Sequence, residues 1–509
     1  MFGACGGCTY QDLPYEEELQ LKEKRLHTLL GEQLDFSPRC FESIVPSPEP
    51  YHYRTRLDLT LLRTKEEETF LGFMPEGKFR IVPVEACAIA RKSISDFLPQ
   101  LKREASDRLP ADYRVANLVV KTADDGRVAW GGIGRRSLQM KPEDYLWTEI
   151  RGKRIFHSLD TFFQANTFIL PRVLDAIERL IPWNKQTVFF DLYSGVGLFG
   201  IFLASRVKKI VMIEENLPSI ELARYNAEYH GLKNVEIQSG KVEALLTNFA
   251  AGGEIGSKRP VALVDPPRKG LSPEALEALA HSKQFQALFY LSCSPESLAR
   301  DLAAFLKEGW WIEKIVPFDF FPKTKHLETL VLLRPKAEPP PFLNSTRPLE
   351  VEIGCGKGKF LTSRAGTNPQ ISFLGIDRIE KWVKMGCDNL VFVKAECREF
   401  LTQLKPESVS IFHIYFPDPW PKRRHRKRRL VTAGFLDLLL SRLLPGGFIE
   451  LATDDLDYFQ QMKKAAAPFG WARIRESINE RPLGRGHQTS YELKYAAVGR
   501  PLYYLELQK

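Results

Sequence analysis

The chain has 509 residues, 44% hydrophobic and 27% charged, with a formal net charge of +9. That length exceeds one ordinary core and predicts two to four globular domains, and the positive charge suits a polyanionic partner such as nucleic acid. Eight thinly scattered cysteines argue against a secreted disulfide scaffold, and no run of about 18 apolar residues or cleavable leader is present. A cytoplasmic protein without membrane spans is expected.

Residues 1–40 combine Cys5-Gly6-Gly7-Cys8 with a charged helical pattern from Tyr15 onward. Over 41–155, short β-rich runs such as Leu57–Leu62 alternate with turn signals, predicting a small antiparallel β or α+β domain. From 156 to 334 the pattern of strand, glycine loop, helix and strand predicts a parallel α/β sheet. Residues 335–346, with Glu338-Pro339-Pro340-Pro341, predict a proline-rich linker, and a second α/β pattern fills 347–509.

The two α/β regions carry the same parts in the same order. The first has the apolar strand Thr187–Asp191, glycines 195, 197 and 200, Glu214 ending the next strand, and later Asp265-Pro266-Pro267-Arg268. The second has Leu349–Ile353, glycines 354, 356 and 358, Asp377 ending its next strand, and later Asp418-Pro419-Trp420-Pro421. A glycine loop followed by an acid fits a nicotinamide dinucleotide, an S-adenosyl donor or a bare tight turn, because in each ligand the acid accepts from ribose hydroxyls. The Asp-Pro step after a later apolar strand separates them: it places a carboxylate at the carboxyl edge of the sheet, which a dehydrogenase does not require.

Thr161-Phe162-Phe163-Gln164-Ala165-Asn166, Asp191-Leu-Tyr-Ser-Gly195-Val-Gly197, Val264–Gly270, Ser292-Cys293-Ser294-Pro295 and His326-Leu327-Glu328-Thr329 together resemble the RNA uracil-C5 methyltransferase family over roughly residues 1–334. The resemblance implies Cys293 as nucleophile, Glu328 as proton-abstracting base, and Gln164, Tyr193, Glu214 and Asp265 around S-adenosylmethionine. The chemistry accounts for the pair. Uracil C5 is a poor nucleophile until a thiolate adds to C6, and a base must then take the C5 proton so that the thiolate can leave. A buried Cys293 acting only as a small hydrophobe is the bland alternative. Ser294 and Ser194 depart from the asparagine and cysteine common in that family, which puts fine positioning in question.

By the same resemblance Cys5, Cys8 and Cys87 match three of four ligands of a 4Fe-4S cluster, with zinc as the alternative. The fourth family position falls before Met1, so either the chain starts late or the cluster is incomplete; Cys40 is a possible substitute.

Glu352-Ile-Gly354-Cys-Gly356-Lys-Gly358, Phe416–Lys422, Arg424–Leu430 and Thr489-Ser490-Tyr491-Glu492 resemble the tRNA guanine-N7 methyltransferases over about 345–509. This implies Glu352, Asp377, Glu396 and Asp418 around a second donor, with Lys422, Asp454, Thr489, Ser490, Tyr491 and Glu492 facing the guanine. Guanine N7 carries an available lone pair, so alignment alone can suffice and no cysteine nucleophile is needed. Asp454 could otherwise cap a helix. The basic run Lys422–Arg429 is expected to contact tRNA phosphates through Arg424, Arg428 and Arg429.

The expected fold is thus α/β: two tandem Rossmann-like class I methyltransferase domains behind a cysteine-cluster segment and an α+β RNA-binding domain. The expected activity is bifunctional RNA methylation, on a uridine of 23S rRNA (or tRNA) and on the variable-loop guanine of tRNA. An RNA-binding protein with only one competent half is the alternative.

Overall fold

The computed structural model describes all residues except 1–3, 35, 37, 75–80, 135, 252–258, 283, 336–346, 379–388 and 481–488, and the backbone alone of 39, 247–251, 259, 423, 424 and 490. The chain divides into two units, Met1–Pro335 and Lys336–Lys509. The proline-rich linker expected at 335–346 lies, after Pro335, outside the described residues.

In the first unit, β1 (Arg56–Arg63), β2 (Thr69–Phe73), β3 (Val82–Pro83), β4 (Val115–Thr122) and β5 (Val128–Gly131) form an antiparallel sheet in the order β3-β2-β1-β4-β5. Leu57, Leu59 and Leu61 alternate onto one face, as a half-buried strand requires, and are buried beneath the helix Lys92–Arg108. That helix contributes Ile94, Leu98, Leu101 and Ala105, one stripe at helical spacing. A hairpin of β6 (Leu146–Ile150) and β7 (Lys153–His157) follows.

The main sheet of the first unit contains β8 (Thr187–Leu192), β9 (Lys209–Glu214), β10 (Val235–Ser239), β11 (Arg259–Val264), β12 (Ala287–Ser292), β13 (Trp310–Phe318) and β14 (Glu328–Pro335). Its order is β10-β9-β8-β11-β12-β14-β13, with β14 antiparallel to both neighbours and the other pairings parallel. Strands β8 and β12 are buried along their whole length, which is why they read as unbroken apolar runs. The chain reverses its direction of winding beside β8, so the crevice above β8, β9 and β11 is where an open α/β sheet takes its ligand.

The structure moves two expected boundaries. The apolar stripe Leu26, Leu30 of helix Tyr15–Gln33 is buried in the main core, and Phe41 and Val45 bridge to Ile315 and Phe318 of β13. Residues up to about 45 therefore pack on the main sheet instead of forming a segment of their own. Likewise Ile150, Ile155 and Phe156 of the β6–β7 hairpin belong to the main core, which places the edge of the small domain before 146. A knot of buried charge secures the N-terminal helix: Lys22 donates to Glu18 and Asp319, each at 2.7 Å. Just after Cys8, the N–H groups of Thr9 and Tyr10 donate to the Lys323 carbonyl.

The second unit repeats the plan. Its strands β15 (Leu349–Ile353), β16 (Ser372–Asp377), β17 (Leu390–Lys394), β18 (Val409–Tyr415), β19 (Leu443–Thr453), β20 (Arg473–Ile478) and β21 (Tyr503–Gln508) take the order β17-β16-β15-β18-β19-β21-β20. One face of this sheet sets a buried polar cluster beside the apolar residues Phe360, Phe373 and Tyr415. His413 is fully buried between Glu350 at 3.0 Å and Glu450 at 3.1 Å, and Arg364 holds Glu350 from the other side. Burial alone would raise the Glu350 carboxyl, but the Arg364 and His413 hydrogen bonds dominate and hold it at about 2. Among the described residues, no helix is long and apolar enough to cross a membrane.

Candidate active sites

In the first unit the loop after β8 turns through three left-handed residues, Tyr193, Gly195 and Gly197. Glu214, at the end of β9, accepts from the Gly195 N–H at 2.9 Å and from the Glu215 and Asn216 N–H groups. Gly200 fits closely for a different reason: a Cβ there would lie 2.4 Å from the Met212 methyl, which would have to move aside. Its N–H donates to Asp191, a fully buried carboxyl pushed up to about 8 by burial, with Asp265 and Glu214 adding to the shift.

Gln164 donates to Asp265 at 3.0 Å, which joins two of the expected donor-binding residues. Burial pushes Asp265 up to about 7 against that hydrogen bond. Glu328, at the start of β14, is only 5% exposed, and its Oε2 has no hydrogen-bond partner among the described residues. Burial first, and the Asp265 charge second, hold its carboxyl well above the usual range. The half-buried Cys293 thiol is pushed up to about 12 by burial, then by Glu328 and Asp265, with Arg268 opposing. Cys293, Glu328 and Asp265 thus form one electrostatically coupled group. Ser294 caps the helix Pro295–Lys307 by accepting from the Ser297 N–H, so it performs the capping that asparagine would. Cys293 consequently sits just outside a helix N-terminus, whose partial positive charge favours a thiolate.

Two residues of this site escaped the expected set. Arg268 supplies the opposing positive charge to both Cys293 and Glu328. Phe162 is 64% exposed although its neighbour Phe163 is buried. The only sequence signal for either was its place inside a quoted motif.

Cys8 is half-buried, and its thiol is pushed up to about 11 by burial and then by the nearby Cys87 and Cys5. Among the described residues, no three His, Cys, Asp or Glu side chains are arranged to hold a single metal ion. Cys40 is not a substitute ligand: it is buried in the main core with its thiol donating to the Ile312 carbonyl at 3.1 Å.

In the second unit Gly354, Gly356 and Gly358 are all left-handed, and Asp377 accepts from the Gly356 N–H at 2.8 Å. Glu352 is buried at the end of β15, in the place Asp191 holds in the first unit. Glu396 caps the short helix Cys397–Leu401. Asp418 is exposed between two non-glycine residues of left-handed backbone, Phe416 and Trp420. Phe416, two residues before Asp418, clusters with Tyr491 and Tyr495 at ring-centroid distances of about 6 Å, and Tyr491 is 53% exposed. Lys422 is exposed.

The substrate-facing set divides. Thr489 and Glu492 form a reciprocal capping box on the helix Ser490–Ala497, and buried Glu492 also accepts from the Tyr504 hydroxyl, leaving Tyr491 as the outward member. The Ser490 side chain lies outside the described residues. Asp454 does not cap a helix; Asp455 does, while Asp454 pairs with Arg500 at 2.6 Å.

The basic run also divides. Arg429 is 1% exposed and donates to the Pro419 carbonyl, Gln461 and Asp457, each at 2.7 Å. It therefore cannot meet a phosphate as expected; it anchors the turn that carries Asp418. Exposed Arg428 lies over the Trp420 ring, and the Arg424 side chain lies outside the described residues. Accordingly, Arg429→Ala is expected to cost about 2–3 kcal/mol in the second unit, less than a fully buried pair because Asp457 is half-exposed. Arg428→Ala is expected to leave stability within about 0.5 kcal/mol and to reduce the salt slope of RNA binding by about one. Thermal melts and binding titrations across salt measure the two.

Residues 139–336 match the family model for tRNA (uracil-5-)-methyltransferases, and residues 346–505 match a model described as "Putative methyltransferase". An uncharacterized RNA methyltransferase of Caldanaerobacter subterraneus is 30% identical over 388 residues, covering 65% of this chain and 83% of that protein. Another from Clostridium tetani is 28% identical, covering 66% and 83%. Among solved structures, the Pyrococcus abyssi tRNA (uracil-54, C5)-methyltransferase in complex with S-adenosyl-L-homocysteine aligns at a TM-score of 0.48 and 24% identity, over 64% of this chain and 85% of that one.

Proposed function

The chain belongs to the RNA methyltransferases, and we propose that it is a bifunctional, S-adenosylmethionine-dependent one: its first unit methylates uracil C5 and its second guanine N7. The observation that carries the first half is the coupled group Cys293, Glu328 and Asp265 beside a glycine loop joined to Glu214. The donor supplies an electrophilic methyl group. The Cys293 thiolate adds to C6 of the uracil, the electron pair freed at C5 takes the methyl, Glu328 removes the C5 proton, and the returning pair expels the thiolate. Glu328 is suited to this because a buried carboxylate, one of whose oxygens finds no donor among the described residues, is a stronger base than a solvated one. Exposed Phe162 offers the uracil or a neighbouring base a stacking face.

The second unit carries no counterpart of Cys293 and needs none. Phe416, two residues before Asp418, offers an aromatic cluster with Tyr491 and Tyr495, Lys422 is exposed four residues after Asp418, and Asp454 is held by Arg500. We assign its substrate as tRNA, from the motif resemblance and from the exposed cations Lys422 and Arg428. For the first unit 23S rRNA is favoured over tRNA, on the resemblance of its cysteine set to the ribosomal branch. A cytoplasmic location accords with both substrates.

A 4Fe-4S cluster fits the N-terminal cysteines. The Cys8 thiol, whose proton affinity Cys87 and Cys5 raise, would be relieved by a cationic iron centre, and Cys5, Cys8 and Cys87 would hold it. Protein isolated without oxygen is expected to carry iron and acid-labile sulfide, and Cys87→Ser to lower both. Iron-free protein from such a preparation would remove the cluster from this reading.

The deciding experiment incubates the full chain with unmodified tRNA and 23S rRNA, then maps methylated nucleosides by mass spectrometry. Appearance of 5-methyluridine and 7-methylguanosine supports both halves. Only one of the two products would leave the RNA-binding alternative for the other half.

A further inference from the structure

Lys121 on β4 is 2% exposed, yet it hydrogen-bonds no carboxylate among the described residues. Its ammonium donates to the Ser158 carbonyl at 2.6 Å and to the Thr161 carbonyl at 2.5 Å. These two oxygens close a tight turn, in which the Thr161 hydroxyl accepts from the Ser158 N–H and the Ser158 hydroxyl donates to Asp160. The turn leads directly into Phe162, Phe163 and Gln164. Phe163 stacks on His157 at 4.6 Å, Gln164 donates to Asp265, and Thr55 secures the far end by donating its N–H to the Ala165 carbonyl. The segment is therefore fastened at both ends, with exposed Phe162 between the fasteners.

A methionine would fill the same volume without the cost of burying an ammonium group. Keeping a cation there is hard to account for by stability. We propose that Lys121 is a positioning residue of the first site, its ammonium holding the Ser158–Thr161 turn so that Phe162 and Gln164 stay aligned with the base and with Asp265. The inference rests on the uracil-methylating reading of that site, and extends it to a residue outside every motif quoted above.

The electrostatics make the proposal separable from a purely structural role. Burial, with Arg56 on β1 adding to it, lowers Lys121 to about 7, while Asp58 on β1 and Asp160 in the turn oppose; His157 on β7 is held neutral, well below its ordinary value, by burial and by Lys121. A base whose folded pKa is lowered binds fewer protons folded than unfolded, so its contribution to stability improves as pH rises from about 7 towards 10. Positioning runs the other way. Deprotonation replaces charge-assisted hydrogen bonds by neutral ones of roughly half the strength, so the turn loosens over the same window. Activity limited by Lys121 falls where stability rises.

The test uses the full chain, comparing wild type, Lys121→Met and Lys121→Arg. The readouts are the pH profile of 5-methyluridine formation, kcat and KM for RNA, S-adenosylhomocysteine affinity of the first site by calorimetry, and melting. In wild type, formation of 5-methyluridine is expected to decline above about pH 7–8 while the melting temperature does not. Lys121→Met is expected to lower kcat about 10- to 100-fold, lose that decline, and weaken first-site affinity for the cofactor product, with 7-methylguanosine formation unchanged. Lys121→Arg, which keeps its charge, is expected to restore most of the activity without the decline. Wild-type kcat and pH profile in Lys121→Met would overturn the proposal. Should Lys121→Met not fold, a wild-type decline in Lys121→Arg would do the same. If wild type methylates no uridine, the uracil reading fails, and cofactor-product affinity independent of pH and of Lys121 would then separately overturn the positioning role.

Discussion

Replacing Cys293 with alanine is expected to remove 5-methyluridine from the products while 7-methylguanosine forms at the wild-type rate. The loss is expected to be roughly 10⁴-fold or more, because no other described group can supply the C6 adduct and a missing nucleophile is not rescued by binding alone. Glu328→Gln is expected to behave differently. It leaves the thiolate able to add but removes the base that takes the C5 proton, so protein should accumulate as a covalent RNA adduct, seen as a shifted band on a denaturing gel. The turnover loss there is about 10²–10⁴-fold, the range of a general base.

The acid limb follows from the same three groups. With the Cys293 thiol pushed up to about 12, its thiolate fraction at neutral pH is small and grows with pH. Initial-rate 5-methyluridine formation should therefore rise with pH up to about 7, above which loss of the Lys121 charge is expected to reverse the trend. Arg268 opposes the shift of Cys293, so Arg268→Gln raises the thiol further and slows alkylation of Cys293 by iodoacetamide at fixed pH. Faster alkylation in that variant, or a Cys293→Ala protein that still makes 5-methyluridine, would reject this account of the site.

Much of this was legible because the informative patterns are local. The two glycine loops read alike in sequence, and the structure repeats them bond for bond. Gly195 donates to Glu214 as Gly356 does to Asp377, and Gly197 donates to the Ser194 carbonyl as Gly358 does to that of Cys355, at 2.8 Å in both. Loop length, glycine spacing and the acid ending the next strand determine that scheme together. What stayed hidden depends on contacts distant in the chain. Nothing near Arg429 tells it from Arg428, yet one is buried against Asp457 from the helix Leu456–Ala466 while the other lies on Trp420. Lys121 looks like an exposed strand lysine until the turn 37 residues later is placed over it. Thr489 and Glu492 carry the spacing of a capping box, a signal that was present and was overshadowed by the resemblance.

Asp418→Ala is expected to abolish 7-methylguanosine and spare 5-methyluridine, the mirror of the first result, but for a different physical reason. In the proposed reaction no bond to the protein forms or breaks, so the site's residues would contribute by holding the guanine and the donor in line, where a displacement of about 1 Å costs on the order of 10²-fold. The backbone shows how firmly that alignment is built. Phe416 and Trp420, on either side of Asp418, both hold left-handed conformations that cost about 1–3 kcal/mol apiece for residues with a Cβ. The Phe416 N–H donates to the Ala452 carbonyl, and Arg429 grips the carbonyl of Pro419, so the strained turn is fixed from both ends. Asp418 is exposed, and removing its carboxylate leaves those fasteners in place. The melting temperature of the second unit is accordingly expected to stay within a few degrees of wild type while turnover falls by about 10²–10³-fold. Arg429→Ala, by loosening the turn, should lower both together. Equal loss of stability in the two variants would mean that Asp418 serves the fold instead of the reaction, and loss of both methylated nucleosides from either would contradict independent sites.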